Sequence, residues 1–339
     1  MIDLLVVGGG PVGLVTAINA AMSGLSVAVL EPRTNPVDKA CGEGLMPDAL
    51  TRLHRIGVDP PGAAIRGIRY AAGGSEAHAY FSGEPGRGVR RTVLHEVLAQ
   101  RARELGVRAV DTRAGAITQG RDSIETAGVE ARYLVGADGL HSPVRRSLGL
   151  DRPVKGARRF GVRQHFQTPT WTDLVEVHWL PDCEVYVTPV AEGLVGVAAL
   201  GTSPLDLPAA IARIPSLAAQ LDGATPASPL RGAGPLRQRA TSRTAGRALL
   251  VGDAAGYVDA LTGEGLRVGF AEAEAAVRAI VAEEPEGYER QWRSITRSYR
   301  WLTTGLLWST SRSWLRPAVV PIARRQPAAF RRIVDSLAY

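Results

Sequence analysis

Residues 4–13 read Leu4-Leu5-Val6-Val7-Gly8-Gly9-Gly10-Pro11-Val12-Gly13, an apolar run that ends in a glycine-rich turn. A stretch of helical period continues to Gly24, and a second apolar run, Ser26-Val27-Ala28-Val29-Leu30, ends on Glu31. Strand, turn, helix and strand in this order predict a dinucleotide-binding βαβ unit. Ala17, Gly24, Val27 and Glu31 keep the spacing that Gly8, Gly10 and Gly13 begin. Gly8 permits the tight turn, Gly10 lets backbone approach a pyrophosphate, and Gly13 allows the helix to pack closely on the strand. The free N–H groups at the helix start, with the positive end of its dipole, suit phosphate. Pro11 and Val12 open that helix, Glu31 is placed to accept hydrogen bonds from ribose hydroxyls, and Arg33 joins the candidate set.

Composition bounds the rest. The chain has 339 residues, enough for two lobes, with 45% hydrophobic and 22% charged residues, ordinary proportions for a globular protein. Cys41 and Cys183 stand far apart, so neither a disulfide framework nor a zinc-ligand spacing is expected, and the six histidines show no metal-ligand pattern. No basic leader precedes the first strand and no apolar stretch approaches 18 residues, so the expected setting is cytoplasmic, with surface association to a membrane at most. The net charge of +7 is local: residues 286–339 carry ten arginines against Glu286, Glu289 and Asp335. No zinc-finger, RRM or KH pattern accompanies that charge, and nucleic acid is not an expected partner.

Further along, 44–58 reads as an amphipathic helix, 65–82 as antiparallel strands and 93–105 as a helix closed by Gly106. From 160 to 200 the pattern is β, in runs at 162–166, 174–179, 185–188 and 194–200. One short helix is expected near 207–220, Leu249-Leu250-Val251 reads as a second parallel-type strand, and a long helix spans about 265–282. The remainder reads as helical until Pro317 and Pro321. The dinucleotide domain is therefore expected to be interrupted: 1–60, 88–151 and 236–282 form it, 61–87 and 152–235 form a substrate domain, and 283–339 a C-terminal helical segment. The expected fold class is α/β, a doubly wound Rossmann-type domain with an inserted antiparallel sheet and C-terminal helices.

Two further motifs follow in order: Gly136-Ala137-Asp138-Gly139-Leu140-His141-Ser142-Pro143-Val144-Arg145, and Gly252-Asp253-Ala254-Ala255-Gly256 after an apolar strand. With the first turn, they resemble the flavoprotein group of para-hydroxybenzoate hydroxylase-type monooxygenases and geranylgeranyl reductases, over roughly 1–60, 88–150 and 236–282. The resemblance implies FAD as cofactor and NADPH or NADH as reductant. It places Asp253 on a hydroxyl of the ribityl or pyrophosphate region, Gly252 where backbone approaches the cofactor, and Arg91 at a helix start reaching the cofactor. Asp138 is associated there with both FAD and NAD(P)H, or is a turn carboxylate that caps its own backbone. Gly263, Glu264 and Gly265 place a helix N-terminus at the flavin pyrimidine edge, where N–H groups and dipole stabilise negative charge. Thr262 beside them also reads as an N-cap.

The reaction is less legible. Cys41-Gly42 resembles a geranylgeranyl reductase loop near the isoalloxazine, with Cys41 tuning the flavin or being a small residue in a tight loop. Glu43 beside it reads as solvated, or as an anchor for a lysine or ribose. The reductases' Tyr-x-Trp-x-Phe-Pro strand is reduced here to Glu184-Val185-Tyr186-Val187-Thr188-Pro189. The halogenase Trp-x-Trp-x-Ile-Pro run is absent, and the chain's two lysines leave little room for a tunnel lysine. Tyr186, His165 and Cys41 are the candidate catalytic residues. In the C-terminal segment Ile295, Tyr299, Leu302 and Leu306 form an apolar face, with Trp301 and Trp308 on the arginine side. That helix packs on the dinucleotide domain, covers a substrate entrance, or touches a membrane surface. The expected activity is that of an FAD-dependent oxidoreductase, first an NAD(P)H-using monooxygenase that hydroxylates an aromatic or polyketide-like substrate through a flavin C4a-hydroperoxide. The alternative is a reductase that saturates alkene bonds of an isoprenoid or lipid.

Overall fold

The computed structural model describes residues 1–33, 36–202, 204–312 and 314–339. The first apolar run forms β1 (Ile2–Val7), the glycine turn enters α1 (Pro11–Met22), and β2 (Val27–Leu30) follows. Next come α2 (Pro47–Arg55), the hairpin β3 (Gly67–Ala72) and β4 (Ser75–Tyr80), α3 (Arg91–Glu104), β5 (Arg108–Val110) and β6 (Val129–Gly136). Four strands then run in succession: β7 (Arg159–Gln167), β8 (Leu174–Trp179), β9 (Cys183–Ala191) and β10 (Leu194–Thr202). After α4 (Leu207–Ala212) and α5 (Pro215–Gln220) the chain returns through β11 (Ala248–Leu250) to α6 (Gly265–Val281). It ends in α7 (Tyr288–Thr310), α8 (Val319–Arg325) and α9 (Pro327–Ala338).

The first sheet runs β11-β6-β1-β2-β5, with every one of these pairings parallel. Val6 lies opposite Val135 and Val29, and Val135 opposite Leu249. Leu4, Leu5, Val6, Val135 and Leu249 are buried on a sheet covered on both faces, which is why these strands read as unbroken apolar runs. β6 and β11, more than 100 residues apart in sequence, thus extend the sheet from β1, whose carboxyl end carries Gly8.

The second sheet runs β7-β10-β9-β8-β3-β4. Its pairings are antiparallel except β8 with β3, where Glu176 lies opposite Arg69 in a parallel ladder. The expected wholly antiparallel insertion is corrected on this point. The chain enters this sheet twice, at 67–80 and at 159–202, and on its return β8 aligns with β3 in the same direction. Side chains alternate between two covers. Val185 and Val187 of β9 pack with Leu207 of α4, Leu217 of α5 and Ile214 between the two helices. Tyr186, between them, points to the other side, where Val320, Phe330 and Val334 of α8 and α9 close the opposite face.

Two local expectations change. The single helix near 207–220 is two, divided at Ile214-Pro215, because a proline disfavours helical backbone in the residue before it. Helicity does not stop at Pro321 either. Pro321 sits in the first turn of α8 and Pro327 opens α9, positions where the missing N–H has no intrahelical acceptor to lose. No helix among the described residues is long and apolar enough to cross a membrane.

Candidate functional site

Three turns meet at the carboxyl end of the parallel sheet. Gly8 has φ +107°, and a Cβ there would lie 2.5 Å from the Ala137 carbonyl oxygen, so the Gly136–Gly139 turn rests on the glycine turn. A Cβ on Gly13 would lie 1.9 Å from the Gly8 oxygen, which is the close helix–strand contact expected of the third glycine. Gly252, at φ +60°, would bring a Cβ to 3.2 Å from Val12 Cγ1, so the Gly252–Asp253 turn abuts the first turn of α1. Gly10 is the N-cap of α1, with no side chain capping it and Pro11 in the first turn, which leaves that N-terminus open to an anion.

Arg91 opens α3 and extends towards Gly10, its Nη2 3.7 Å from where a Cβ on that glycine would stand. Its Nε is buried without a hydrogen-bond partner, as is Asp138 Oδ1. The other Asp138 oxygen accepts the Val144 N–H at 2.9 Å, as a turn carboxylate does. Burial pushes the Asp138 carboxyl above its ordinary range, against the bonds it accepts. Lys39 Nζ stands 3.7 Å from Asp253 Oδ2, so one of the chain's two lysines lies beside this turn.

Glu31 is bonded by its own neighbours. Its two oxygens accept the Gly9 N–H at 2.9 Å, Arg33 Nε and Nη2 at 2.7 Å each, and the Arg33 backbone N–H at 3.1 Å. The carboxylate's lone pairs are thereby filled by its own neighbours, and Arg33 is a partner of Glu31 before it is one of any ligand. Burial works against its ionisation, but these bonds outweigh it and hold the carboxyl below its ordinary value.

Around the N-terminus of α6, Gly263 has φ +71° and sits against Met46. Glu264 is the N-cap residue, yet its buried side chain turns to Arg267 and caps nothing. The α6 N–H groups therefore stay open, in keeping with the predicted anion-stabilising end. Gly265 packs against the Tyr257 ring. Thr262 is no N-cap, since its hydroxyl bonds to that of Thr303 at 3.0 Å.

The three candidate catalytic residues fare differently. Cys41 is half-buried, with the Glu43 N–H directed at its sulfur at 3.4 Å. His165 is wholly buried, its Nε2 2.5 Å from Glu43 and its Nδ1 2.9 Å from the Ser228 hydroxyl. Tyr186 donates its hydroxyl to the Leu261 carbonyl at 2.8 Å, and burial pushes its phenol well above 10. His165 and Tyr186 thus hold neighbouring loops, and neither has a free polar atom facing open space.

Sequence reasoning misplaced Glu43 and gave no role to His95 and Arg145. Glu43, expected to be solvated or to anchor a lysine or ribose, is buried at φ +60° and accepts the Arg91 N–H at 2.8 Å as well as facing His165. His95 meets the Gly9 carbonyl through Nε2 at 2.9 Å, and burial lowers its pKa, favouring the neutral ring. Arg145 is buried and bonds Asp151 at 2.6 Å, Leu140 O at 2.9 Å and Ala254 O at 3.0 Å, stitching the second turn to the third. A charged residue among apolar or turn residues was the available signal for each. A larger cavity, about 460 Å³, lies between Ile2, Gly24, Ser26 and Val107. That is the amino end of β1, opposite to where open α/β sheets bind ligands.

The parallel sheet with its three convergent turns defines a Rossmann-type dinucleotide-binding protein. The open helix end and the unpartnered buried Arg91 Nε fit a pyrophosphate-bearing group. The chain belongs to the FAD binding domain family, whose model matches residues 1–290, and is an FAD-dependent oxidoreductase of that family. Menaquinone reductase of Mycobacterium tuberculosis is 30% identical, covering 86% of this chain and 79% of the relative. Digeranylgeranylglycerophospholipid reductase of Methanosarcina acetivorans is 28% identical over 87% and 81%. Rifampicin monooxygenase of Streptomyces venezuelae is 30% identical, but over 47% of this chain and 36% of its own. Among solved structures, a flavoprotein/dehydrogenase from Cytophaga hutchinsonii superimposes with a TM-score of 0.86 at 20% identity, over 99% of this chain and 92% of that one.

Proposed function

We propose that this chain is an FAD-dependent reductase that saturates alkene bonds in a polyprenyl-bearing quinone or lipid, the alternative expected from sequence. The observation that carries the reading is the similarity along most of the chain to two reductases, beside which one packed apolar cluster borders the α6 N-terminus. Met46 and Leu261, beside the α6 N-terminus, join Val175 and Val177 of the second sheet and Phe330 and Val334 of α9. These side chains are packed core, and a hydrocarbon chain lying along their edge is proposed to be oriented by burial, at about 0.8 kcal/mol per buried CH₂. The relatives matched along most of the chain bear reductase names that specify polyprenyl-bearing substrates, which supports the same reading.

FAD, when bound, supplies two-electron transfer, with NADPH or NADH as the proposed electron source. The chain's own share is positioning. Tyr186 fixes the Leu261 carbonyl, and the Glu43–His165 pair fixes the loop that carries Cys41. Saturating one C=C bond also requires a proton, and Cys41 is the half-buried thiol nearest this loop's tip. The exposed tryptophans of α7 are proposed to rest on a membrane surface from which such a substrate enters.

The test is anaerobic turnover of the flavin-loaded protein with NADPH or NADH and menaquinone or a geranylgeranyl lipid. A product heavier by two hydrogens after any quinol has been reoxidised in air, with one side-chain alkene lost, establishes the reading. A second reading, monooxygenation of an aromatic, is favoured by the similarity to rifampicin monooxygenase. Oxygen-dependent NAD(P)H oxidation with a product heavier by one oxygen atom, and no saturated alkene, replaces the first reading with the second.

A further inference from the structure

Behind the Gly252–Asp253 turn lies a carboxyl that no pattern in the sequence singled out. Glu272 is buried in the middle of α6, and its Oε2 accepts the Gly252 N–H at 2.6 Å. One turn earlier, a Cβ on Gly269 would meet Val12 Cγ2 at 2.6 Å, so α6, the turn and the start of α1 are wedged together. A cavity of about 10 Å³, room for about one water, separates Gly252, Asp253 and Glu272 from Trp292, Thr296 and Arg300 of α7.

We propose that Glu272 is a positioning residue of the cofactor site: by holding the Gly252 N–H it sets the Gly252–Asp253 turn and, with it, the affinity for FAD. The inference rests on the family's FAD binding and on neither reaction. A buried carboxyl costs least when neutral. Burial pushes Glu272 up to about 8; the Gly252 N–H and the charge of Arg243 oppose this, while the charge of Asp253 reinforces it. Tyr288, Tyr299 and Arg300 are the other titratable groups that α7 turns towards it, and α1 offers none. Ionised, Glu272 sets a second negative charge beside Asp253 where a pyrophosphate must bind, so FAD binding selects the neutral form.

The experiment is FAD titration of the full chain stripped of flavin, followed by flavin fluorescence between pH 6 and 9. If binding requires the neutral acid, affinity falls about tenfold from pH 7 to pH 9. Glu272→Gln keeps an acceptor for Gly252 and does not titrate, so its affinity is expected to stay level. A Glu272→Gln variant that follows the wild-type curve, or a level wild-type curve, overturns the proposal. Should that variant fail to fold, Arg243→Gln removes a positive charge that favours the Glu272 anion and is expected to move the alkaline break to higher pH. An unmoved break has the same overturning force. None of these readouts depends on turnover.

Discussion

Gly13 and Gly24 show how unequal two glycines of one motif are. A Cβ on Gly13 meets a backbone oxygen at 1.9 Å, and backbone cannot rotate away. Gly13→Ala is expected to lower unfolding stability by about 2–3 kcal/mol and to abolish FAD retention, read by urea unfolding and flavin absorbance. Gly24, at φ +83°, faces open space, so Gly24→Ala pays only the left-handed backbone term of about 1–2 kcal/mol, with FAD content unchanged. Glu43 is the contrasting polar position. Removing it leaves buried Arg163 and His165 facing each other without the carboxylate, and Glu43→Ala is expected to cost about 3–5 kcal/mol in the same assay. The glycines were legible because their spacing is local. Glu43 was not, because the partners that define it lie 48 and 122 positions away.

At the scale of elements, the parallel junction of β3 and β8 is held by charge. Glu176 accepts from Arg69 at 3.0 Å and pairs with His178 at 3.2 Å. Burial raises its pKa, but His178 and Arg69 together outweigh that and hold it below the ordinary value. A carboxyl depressed in the folded state contributes stability that is present above its unfolded pKa and lost as pH falls through the folded one. Urea midpoints between pH 7 and pH 3 are therefore expected to fall less steeply in Glu176→Gln than in the parent; equal slopes would refute the assignment. A second tie runs from the C-terminal segment inward. Arg316 and Arg159 bond opposite oxygens of buried Glu184 at 2.6 and 2.5 Å, and Arg159 continues to Asp259 at 3.0 Å. Strand positions were readable from β-pattern alone, whereas this ladder of alternating charges joins three segments that no local window contains.

For the whole molecule, the distribution of exposed tryptophan stands out. Trp301, Trp308 and Trp314 are 75%, 54% and 71% exposed, while Trp292 of the same segment is buried between α6 and α7. Arg290, Arg293 and Arg297 are exposed along the same stripe of α7 as Trp301 and Trp308. Indole rings with arginines beside them suit the headgroup layer of an anionic bilayer. Full-length protein is expected to sediment with phosphatidylglycerol vesicles but not with phosphatidylcholine vesicles, and Trp301→Ala with Trp308→Ala to remove that binding without changing FAD content. Equal sedimentation of the double variant, or a dimer that buries both rings, would leave the membrane reading without support.

The sequence by itself determined the βαβ opening, the three turns in their order, the strands of both sheets and the arginine-rich C-terminus. These are properties of near neighbours: a turn needs glycine, a strand its alternation, a helix its period. Only the tertiary structure decided that β8 joins β3 in parallel, that Glu31 is filled by Gly9 and Arg33, and that Glu43, His165 and Tyr186 serve as anchors. It alone set Glu272 behind the Gly252 turn. A buried charge takes its meaning from the groups that desolvate and pair it, and those arrive from distant parts of the chain only when it folds.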